Sequence, residues 1–227
     1  MNSTVVFWDV DGTLLTTGRA GVFALEEAVR KTCEAPVDLQ QLQTAGLTDA
    51  EVAALALSAA GIEATRERVL AFLREYEAGL PERLHWRQGR VLDGVRDVLD
   101  ALAQRPSVDC LLLTGNTRAG ARAKLFHYGL DGYFADGAFA DDAFDRPGIA
   151  RRALELARVR AAEELDLERV FVVGDTVYDV RCGRAIGART IAVGGTTPVE
   201  TLLAEEPWLA LERLPNAQEF LEILGLH

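Results

Sequence analysis

Polar side chains that are suited to chemistry close three short apolar segments of the sequence. They are Asp9, Asp11 and Thr13 after the first segment, Thr114 and Asn116 after the second, and Asp175 and Asp179 after the third. Gly12 and Gly115 lie among them. If the segments end at one edge of the protein, the four carboxylates repel one another unless a positive charge lies among them. A bound divalent cation would supply that charge.

The type of cation follows from the ligand atoms. Carboxylate and carbonyl oxygens without His or Cys select a hard cation, and few protein ligands with room for water favour Mg²⁺ over Ca²⁺ or Zn²⁺. Magnesium that keeps part of its water is usually completed by phosphate, and Gly12 and Gly115 let main-chain amides approach such an anion. The sequence therefore predicts Mg²⁺ as the cofactor and a phosphorylated ligand.

The three apolar segments are predicted to be strands of one sheet. The first, residues 4–10, is β-branched and apolar, as expected of a strand that is covered on both faces. After Gly89, helices alternate with apolar strands, which is typical of a parallel sheet with helices on both sides. Ligands bind beyond the carboxyl ends of such strands. The second and third segments are expected to be strands at 108–113 and 169–173, with a further strand at 190–193. Helices are expected at 94–104, 118–128, 148–160, 178–186 and near 216–224.

Residues from about 20 to 86 have a wholly helical pattern, with helices expected at 20–34, 49–60 and 65–84. Thr48 and Glu51 have the spacing of a capping box. The predicted fold class is therefore α/β, a Rossmann-like doubly wound parallel sheet with an inserted all-helical cap domain. Residues 1–15 and 90–227 would form the discontinuous catalytic core, and residues 16–89 the cap.

The motifs together resemble those of the haloacid dehalogenase superfamily. Asp9 to Thr13 is similar to the DxDGT signature, Thr114 to the second-motif Thr or Ser, Arg146-Pro147 to the basic third motif, and Asp175 with Asp179 to the acidic fourth motif. The chain is identified as a member with a helical cap between the first and second motifs, like phosphoglycolate phosphatase and β-phosphoglucomutase. This resemblance implies a Mg²⁺-dependent phosphatase that hydrolyses a small phosphomonoester through an aspartyl-phosphate.

The resemblance also implies roles for individual residues. Asp9 would be the nucleophile and Asp11 the general acid and base, while Thr114 and Arg146 would stabilise the transferring phosphoryl group. The implied metal ligands are Asp9, Asp11, Asp175 and Asp179, and the implied phosphate-binding residues are Gly12, Thr13, Gly115 and Asn116. Asp11 would use its main-chain carbonyl, and Asp179 is either a second ligand or the partner of Arg146. Most members have Lys where Arg146 stands, so Arg151 and Arg152 remain alternatives for that role.

The residues that would determine substrate specificity are Arg19, Gly46, Leu47, Thr48 and Asp49. In capped relatives a glycine-containing loop before the second cap helix reaches over the phosphate site, and close relatives often have Arg at Leu47. The loop here has no positive charge, and Arg19 in the hinge is the residue that would restore one. The simpler interpretations are that Thr48 only caps its helix and that Arg19 is solvated. Thr114 and Asp179 have the same alternative, a helix cap.

Two other functions are compatible with these motifs. A phosphomutase that acts on a sugar phosphate would use the same residues, and a non-catalytic phosphate-binding or interaction protein would retain the fold. Asp11 favours cleavage of a C–O–P bond, since dehalogenases and phosphonatases of the superfamily lack an acid at this position.

Composition restricts the partners and the location. The 227 residues include 24 Lys and Arg against 35 Asp and Glu, and the net charge of −11 argues against nucleic acid and anionic membranes as partners. No apolar run approaches the ~20 residues that cross a bilayer. We therefore expect a cytoplasmic protein, a monomer or homodimer, with a small phosphorylated metabolite as its partner. His85, His127 and His227 share no metal-like spacing.

Overall fold

The computed structural model describes residues 3–33, 39, 46–161 and 165–226. Within these ranges the strands are β1 (Thr4–Trp8), β2 (Leu15–Thr16), β3 (Arg90–Val91), β4 (Val108–Leu113), β5 (Gly137–Ala138), β6 (Val170–Gly174), β7 (Arg189–Val193) and β8 (Leu209–Leu211). The helices are α1 (Ala20–Thr32), α2 (Asp49–Ala59), α3 (Arg66–His85), α4 (Val95–Ala103), α5 (Arg118–His127), α6 (Arg146–Arg160), α7 (Val177–Ala185), α8 (Val199–Leu203) and α9 (Ala217–Ile223). No helix in the described part of the chain is both long and apolar enough to span a bilayer.

The main sheet has six parallel strands in the order β5-β4-β1-β6-β7-β8. The central strand β1 is buried throughout and alternates between two cores. Val5 and Phe7 pack with Ile149 of α6 on one face, and Trp8 stacks on Phe220 of α9 on the other, with ring centroids 5.4 Å apart. The predicted doubly wound parallel sheet is confirmed.

The first strand is shorter than predicted. The strand ends at Trp8, because the chain turns just beyond it. In this turn the carbonyl of Val10 accepts hydrogen bonds from the amides of Leu14 and Leu15. The predicted helix at 148–160 begins earlier, at Arg146, because the Asp145 carboxylate caps it by accepting a hydrogen bond from the Gly148 amide. The predicted helix at 20–34 ends at residue 32, and position 34 lies outside the described residues.

Helices α1, α2 and α3 pack on one another around their own apolar core, which includes Val29, Leu57, Phe72 and Leu80. The predicted capping box at the start of α2 is confirmed. Thr48 accepts a hydrogen bond from the Glu51 amide, and the Glu51 carboxylate accepts one from the Thr48 amide. This helical unit also contacts the core, because α3 packs against α5.

Two chain crossings join the helical unit to the sheet, and they lie side by side. Strands β2 and β3 form a two-stranded antiparallel sheet in which Thr16 pairs with Arg90. A methyl group added at Gly18 would lie 3.0 Å from the carbonyl carbon of Gln88. The predicted boundary between residues 15 and 16 falls inside β2, so the two crossings are braced by main-chain hydrogen bonds.

Candidate active site

The candidate catalytic residues follow the carboxyl ends of three adjacent strands. Asp9 follows β1, Thr114 follows β4 and Asp175 follows β6. Because these strands are parallel neighbours, all three residues lie at the same edge of the sheet. The Asp9 amide continues the ladder by donating a hydrogen bond to the carbonyl of Val173, at 3.0 Å.

Asp9, Asp175 and Asp179 form a buried carboxylate cluster. Each can offer an oxygen that lies within 4.8 Å of those of the other two. The Thr13 hydroxyl donates to Asp175 Oδ1 at 2.9 Å, and the Thr196 amide donates to Asp175 Oδ2 at 3.0 Å. Thr13, which was predicted to bind phosphate, thus positions a carboxylate in this structure.

Gly12 allows the first loop to pass directly over Asp175. Its φ is +84°, in the left-handed region, and an added Cβ would lie 2.2 Å from Asp175 Oδ2. A residue with a side chain would therefore strain the backbone and push the carboxylate away. The close approach explains why glycine stands between Asp11 and Thr13.

The cluster is electrostatically incomplete without a cation. Burial, followed by repulsion from Asp179, Asp175 and Asp11, raises the pKa of Asp9 well above its ordinary value, although Arg146 opposes the shift. Burial likewise raises the pKa of Asp175. An all-oxygen donor set that needs positive charge fits a hard divalent cation, and the residues present therefore fit Mg²⁺.

These shifts predict how stability without metal depends on pH. Burial raises the pKa of the partly buried Asp49 to about 6 from 3.8, so it shifts in the same direction as Asp9 and Asp175. An acid with a raised folded-state pKa binds protons more tightly when folded, so the free energy of unfolding falls as pH rises through that pKa. The unfolding temperature in chelator should therefore be higher at pH ~5 than at pH ~7.5. Mg²⁺ should raise it more at the higher pH, because the metal binds ionised carboxylates.

The unfolding temperature, measured at both pH values with and without Mg²⁺, checks this prediction. The Asp175→Asn variant is the control, because it removes one carboxylate of the cluster that could hold the metal and should lose most of the metal effect. An equal rise on adding Mg²⁺ at both pH values, or the same rise in the variant, would contradict it.

Arg146 lies beside the carboxylate cluster. Its Nη1 is 3.2 Å from Asp179 Oδ1, and its Nε donates to the carbonyl of Gly46 at 3.1 Å. Burial lowers the pKa of Arg146, but the carboxylates of Asp179 and Asp9 raise it overall. Arg151 and Arg152 point to solvent from the same helix. Of the three arginines considered, Arg146 is the one that the helix start places at the site.

Asp179 has two structural roles. It is the third residue of a capping box with Thr176 at the start of α7, and it also pairs with Arg146. The alternative role of Thr114 as a helix cap is wrong, since Thr117 caps α5 by accepting a hydrogen bond from the Gly120 amide.

Asn116 connects the second loop to the first. Its amide nitrogen donates to Thr114 Oγ1 at 2.8 Å and to Asp11 Oδ2 at 2.9 Å. Its amide oxygen accepts a hydrogen bond from the ammonium of Lys124, which also contacts Asp11 Oδ2 at 2.5 Å. Asn116, predicted to bind phosphate, therefore belongs to a network that holds Asp11.

The sequence reasoning missed Lys124. The signal was present, because Lys124 is one of only two lysines in the chain. It also occupies the buried face of α5 with Ala121 and Leu125. A lysine on the apolar face of an amphipathic helix needs buried acceptors, and that need could have drawn attention to it.

The loop before α2 docks on the core by hydrogen bonds. The Thr48 hydroxyl donates to the carbonyl of Phe144 at 2.9 Å, so Thr48 does more than cap its helix. The Asp49 amide donates to the carbonyl of Gly115 at 2.7 Å, and the Asp49 carboxylate accepts a hydrogen bond from the Thr117 amide at 2.8 Å. The helical unit therefore lies closed over the strand ends.

A cavity of about 660 Å³ separates the helical unit from the sheet edge. The predicted site residues among its lining are Asp9, Asp11, Gly12, Arg19, Gly46, Leu47, Asp49, Thr114, Gly115, Asn116 and Arg146. Gly46 is in the left-handed region with φ +77°, and an added Cβ would lie 2.3 Å from the ring of Tyr178.

Arg19 lies where the chain enters the helical unit. It has a φ of +72°, which is unusual for a residue with a side chain, and it precedes α1. Its guanidinium is exposed and lies 5.6 Å from the ring centroid of Phe23. Arg19 is therefore exposed, as the simpler interpretation expected, and it also lines the cavity.

His85 and His127 lie away from this cavity. His85 and His127 pack edge to face with ring centroids 4.7 Å apart, a contact that their sequence spacing did not indicate. Neither is among the described residues that line the cavity. His227 lies outside the described residues.

Comparison with known proteins decides the family. A family model described as haloacid dehalogenase-like hydrolase matches residues 6–184, which include all four motifs. The chain belongs to the haloacid dehalogenase-like hydrolase family. This confirms the family suggested by the motifs and the prediction that the protein is a hydrolase.

Individual relatives of this family cover most of the chain. A phosphoglycolate phosphatase from Agrobacterium fabrum is 30% identical over 199 residues, which are 84% of this chain and 80% of the relative. A predicted phosphatase from Clostridium acetobutylicum has a similar structure, with a TM-score of 0.72, 19% identity and full coverage of both chains. A Thermotoga maritima protein named as a candidate β-phosphoglucomutase gives a TM-score of 0.62 at 20% identity, with 98% of each chain covered. The structural likenesses establish the shared fold.

Proposed function

We propose that the protein is a Mg²⁺-dependent phosphatase that hydrolyses a small phosphomonoester through an aspartyl-phosphate on Asp9. The observation that carries this proposal is the placement of Asp9, Asp11, Thr114 and Arg146 around one cavity, beside a buried carboxylate cluster. The phosphatase names of relatives that cover most of the chain support the same reaction class.

Mg²⁺ would be held by Asp9, Asp175 and the main-chain carbonyl of Asp11, with Asp179 as a further ligand or as the partner of Arg146. When bound, Mg²⁺ offsets the carboxylate charges and polarises a phosphoryl oxygen. The Thr13 and Thr196 contacts to Asp175 fix the orientation of that carboxylate, as supporting hydrogen bonds do in metal sites.

In the first step, an Asp9 oxygen forms a bond to phosphorus while the bond from phosphorus to the leaving oxygen breaks. Asp11 gives its proton to the leaving oxygen. In the second step, Asp11 takes a proton from water, the water oxygen bonds to phosphorus, and the bond from phosphorus to Asp9 breaks. Thr114 donates its hydroxyl and Arg146 its guanidinium to the phosphoryl oxygens as charge moves across them. The main-chain amides that follow Gly12 and Gly115 would assist them.

The helical unit at residues 16–89 is proposed to be a lid over this chemistry. The hydrogen bonds from Thr48 and Asp49 to the core describe its closed position. The loop at 46–49 brings no cation to the cavity, and Arg19 is a cation from the hinge that lines it. We propose that Arg19, Leu47 and Asp49 contact the leaving group and select among small phosphorylated metabolites.

Phosphate release from an aryl phosphate tests the proposed function. Turnover should require Mg²⁺ or a similar hard cation, should be lost in chelator and should return when Mg²⁺ is added. A screen of small phosphomonoesters then ranks the substrates. Isomerisation of a sugar phosphate without phosphate release would favour a phosphomutase, and failure to turn over any compound would favour a non-catalytic protein.

A further inference from the structure

Lys124 brings a buried positive charge to a helix that otherwise packs with apolar residues. Its side chain is 5% exposed, whereas the side chain of its partner Asp11 is 42% exposed. Lys124 is therefore the buried member of this ion pair and Asp11 the more exposed one, and both residues line the cavity. A buried ammonium in this position can hold the more exposed carboxylate of Asp11 in place.

An enclosed ammonium requires acceptors, because burying an unpaired charge is costly. Lys124 finds them in Asp11 and in Asn116. Besides Asp11, the polar groups that act electrostatically on this ammonium include Tyr76 and Asp49. Tyr76 and Asp49 come from the helical unit and Asp11 from the core, so Lys124 lies where the two parts of the protein meet.

The two donors that hold Asp11 converge on the same oxygen. Asn116 Nδ2 lies 2.9 Å and Lys124 Nζ 2.5 Å from Asp11 Oδ2. Residues 3–33, 39, 46–161 and 165–226 provide no hydrogen-bond donor to the other oxygen, Oδ1. Two donors on one oxygen restrict the rotation of the carboxylate and leave Oδ1 available to another partner.

Asn116 adds rigidity to this arrangement. Its amide nitrogen is shared between Asp11 and Thr114, and its amide oxygen accepts from Lys124. Lys124 therefore acts on Asp11 both directly and through Asn116. Loss of the ammonium would remove one hydrogen bond from each of these two side chains at once.

We propose that Lys124 is a positioning residue that holds Asp11 through Oδ2, so that Oδ1 meets the leaving-group oxygen of the substrate. The inference rests on the proposed function, because it assigns Lys124 an effect through the acid and base of that reaction. Lys124 itself transfers no proton and does not contact the phosphoryl group.

The Lys124→Met variant tests the proposal, since it keeps the length of the side chain and removes the charge. Its kcat should fall roughly 10- to 100-fold on an alkyl phosphate, the usual effect of losing a supporting contact. Its kcat on an aryl phosphate should fall much less, because a phenolate leaves without help from an acid. KM should change little for either substrate. The Lys31→Met variant is the control, because Lys31 is half exposed and pairs with Glu27 on the surface.

A double-mutant cycle separates positioning from general damage. If Lys124 acts through Asp11, Lys124→Met should add little to the loss that Asp11→Asn causes on the alkyl phosphate. The Lys124→Arg variant keeps the charge and the donors, and should retain more alkyl phosphatase activity than Lys124→Met. Additive losses, or equal losses on alkyl and aryl phosphates, would overturn the proposal.

Thermal unfolding without substrate or metal provides a readout that is independent of activity. Lys124→Met should lower the unfolding temperature of the wild-type protein more than that of Asp11→Asn, because the variant lacks the anionic partner. A wild-type protein that hydrolyses no phosphomonoester would refute the proposed function, and the unfolding cycle would still decide whether the Lys124–Asp11 contact exists. Equal effects of Lys124→Met in both backgrounds would exclude that contact.

Discussion

Asp9→Asn is expected to reduce kcat by roughly 10⁴-fold or more on every phosphomonoester that the protein hydrolyses, since loss of a nucleophile typically has effects of this order or larger. An amide at this position does not form the aspartyl-phosphate. Because Asp9 contributes no proton to the leaving group, the loss should be the same for alkyl and aryl phosphates. That pattern distinguishes Asp9→Asn from Asp11→Asn, which should lower kcat most on the alkyl phosphate.

Rapid quenching with a substrate labelled in its phosphoryl group measures the covalent intermediate directly. The wild-type protein should retain label and Asp9→Asn should not. Asp93→Asn is a suitable control, because the Asp93 side chain is 97% exposed and pairs only with Arg90 among the described residues. Label retained by Asp9→Asn, or turnover within tenfold of the wild type, would assign the nucleophile to another residue.

The same variant links the site to stability. The pKa of Asp9 is raised by burial and by the neighbouring carboxylates, so the ionised side chain destabilises the folded protein when no metal is bound. Asp9→Asn removes that charge and should therefore unfold at a higher temperature than the wild type in chelator at neutral pH. In the proposed function, the charges that lower the stability of the metal-free protein are the ones that would bind Mg²⁺.

The sheet was predictable because each buried strand has a local signature. Residues 108–113 form β4 as predicted, since the apolar run Cys110 to Leu113, which supplies most of the strand, suits a strand that is covered on both faces. The polar residues after the strands indicated the site for a related reason. A carboxylate that ends a buried strand has no packing role, and parallel strands bring such ends together.

The short strands were not predictable. β2 and β3 have two residues each, and they form because chain segments about 75 positions apart meet at the base of the helical unit. Lys124 illustrates the same limit at the site. Its partner Asp11 is 113 positions away, so neither sequence neighbourhood contains the other half of the ion pair.

The hydrogen bonds between the loop at 46–49 and the core also could not be predicted from the sequence. Thr48 was correctly predicted as a helix cap, but its hydroxyl also donates to the carbonyl of Phe144. A capping hydroxyl both accepts from its own helix and retains a proton to donate elsewhere. The sequence indicates the first interaction, and only the packing of the helical unit on the core provides the second.

Replacing residues 19–88 with a short linker is expected to separate specificity from phosphoryl chemistry. The linker need not be long, because Gly18 and Gly89 are already adjacent and β2 and β3 hold the two crossings together. Asp9, Thr114, Arg146 and the carboxylate cluster all lie on the core, so the cluster should still bind Mg²⁺. Turnover of the best substrate from the phosphomonoester screen should fall by roughly 10²-fold or more, because contacts from the lid contribute to kcat as well as to binding.

The rate of aryl phosphate hydrolysis should fall much less than the rate for the best substrate, because departure of a phenolate depends little on Asp11 or on lid contacts. The deletion uncovers the surface of α5 that packs against α3, so circular dichroism and the unfolding transition must first show a folded core. Asp49→Ala is the milder companion variant, because it removes one hydrogen bond between the loop and the Thr117 amide and leaves the helices in place. It should lower turnover of the best substrate without changing the aryl phosphatase rate. A folded deletion variant that hydrolyses that substrate at the full rate would show that specificity is determined by the core, and Arg19, Leu47 and Asp49 would then have no part in substrate selection.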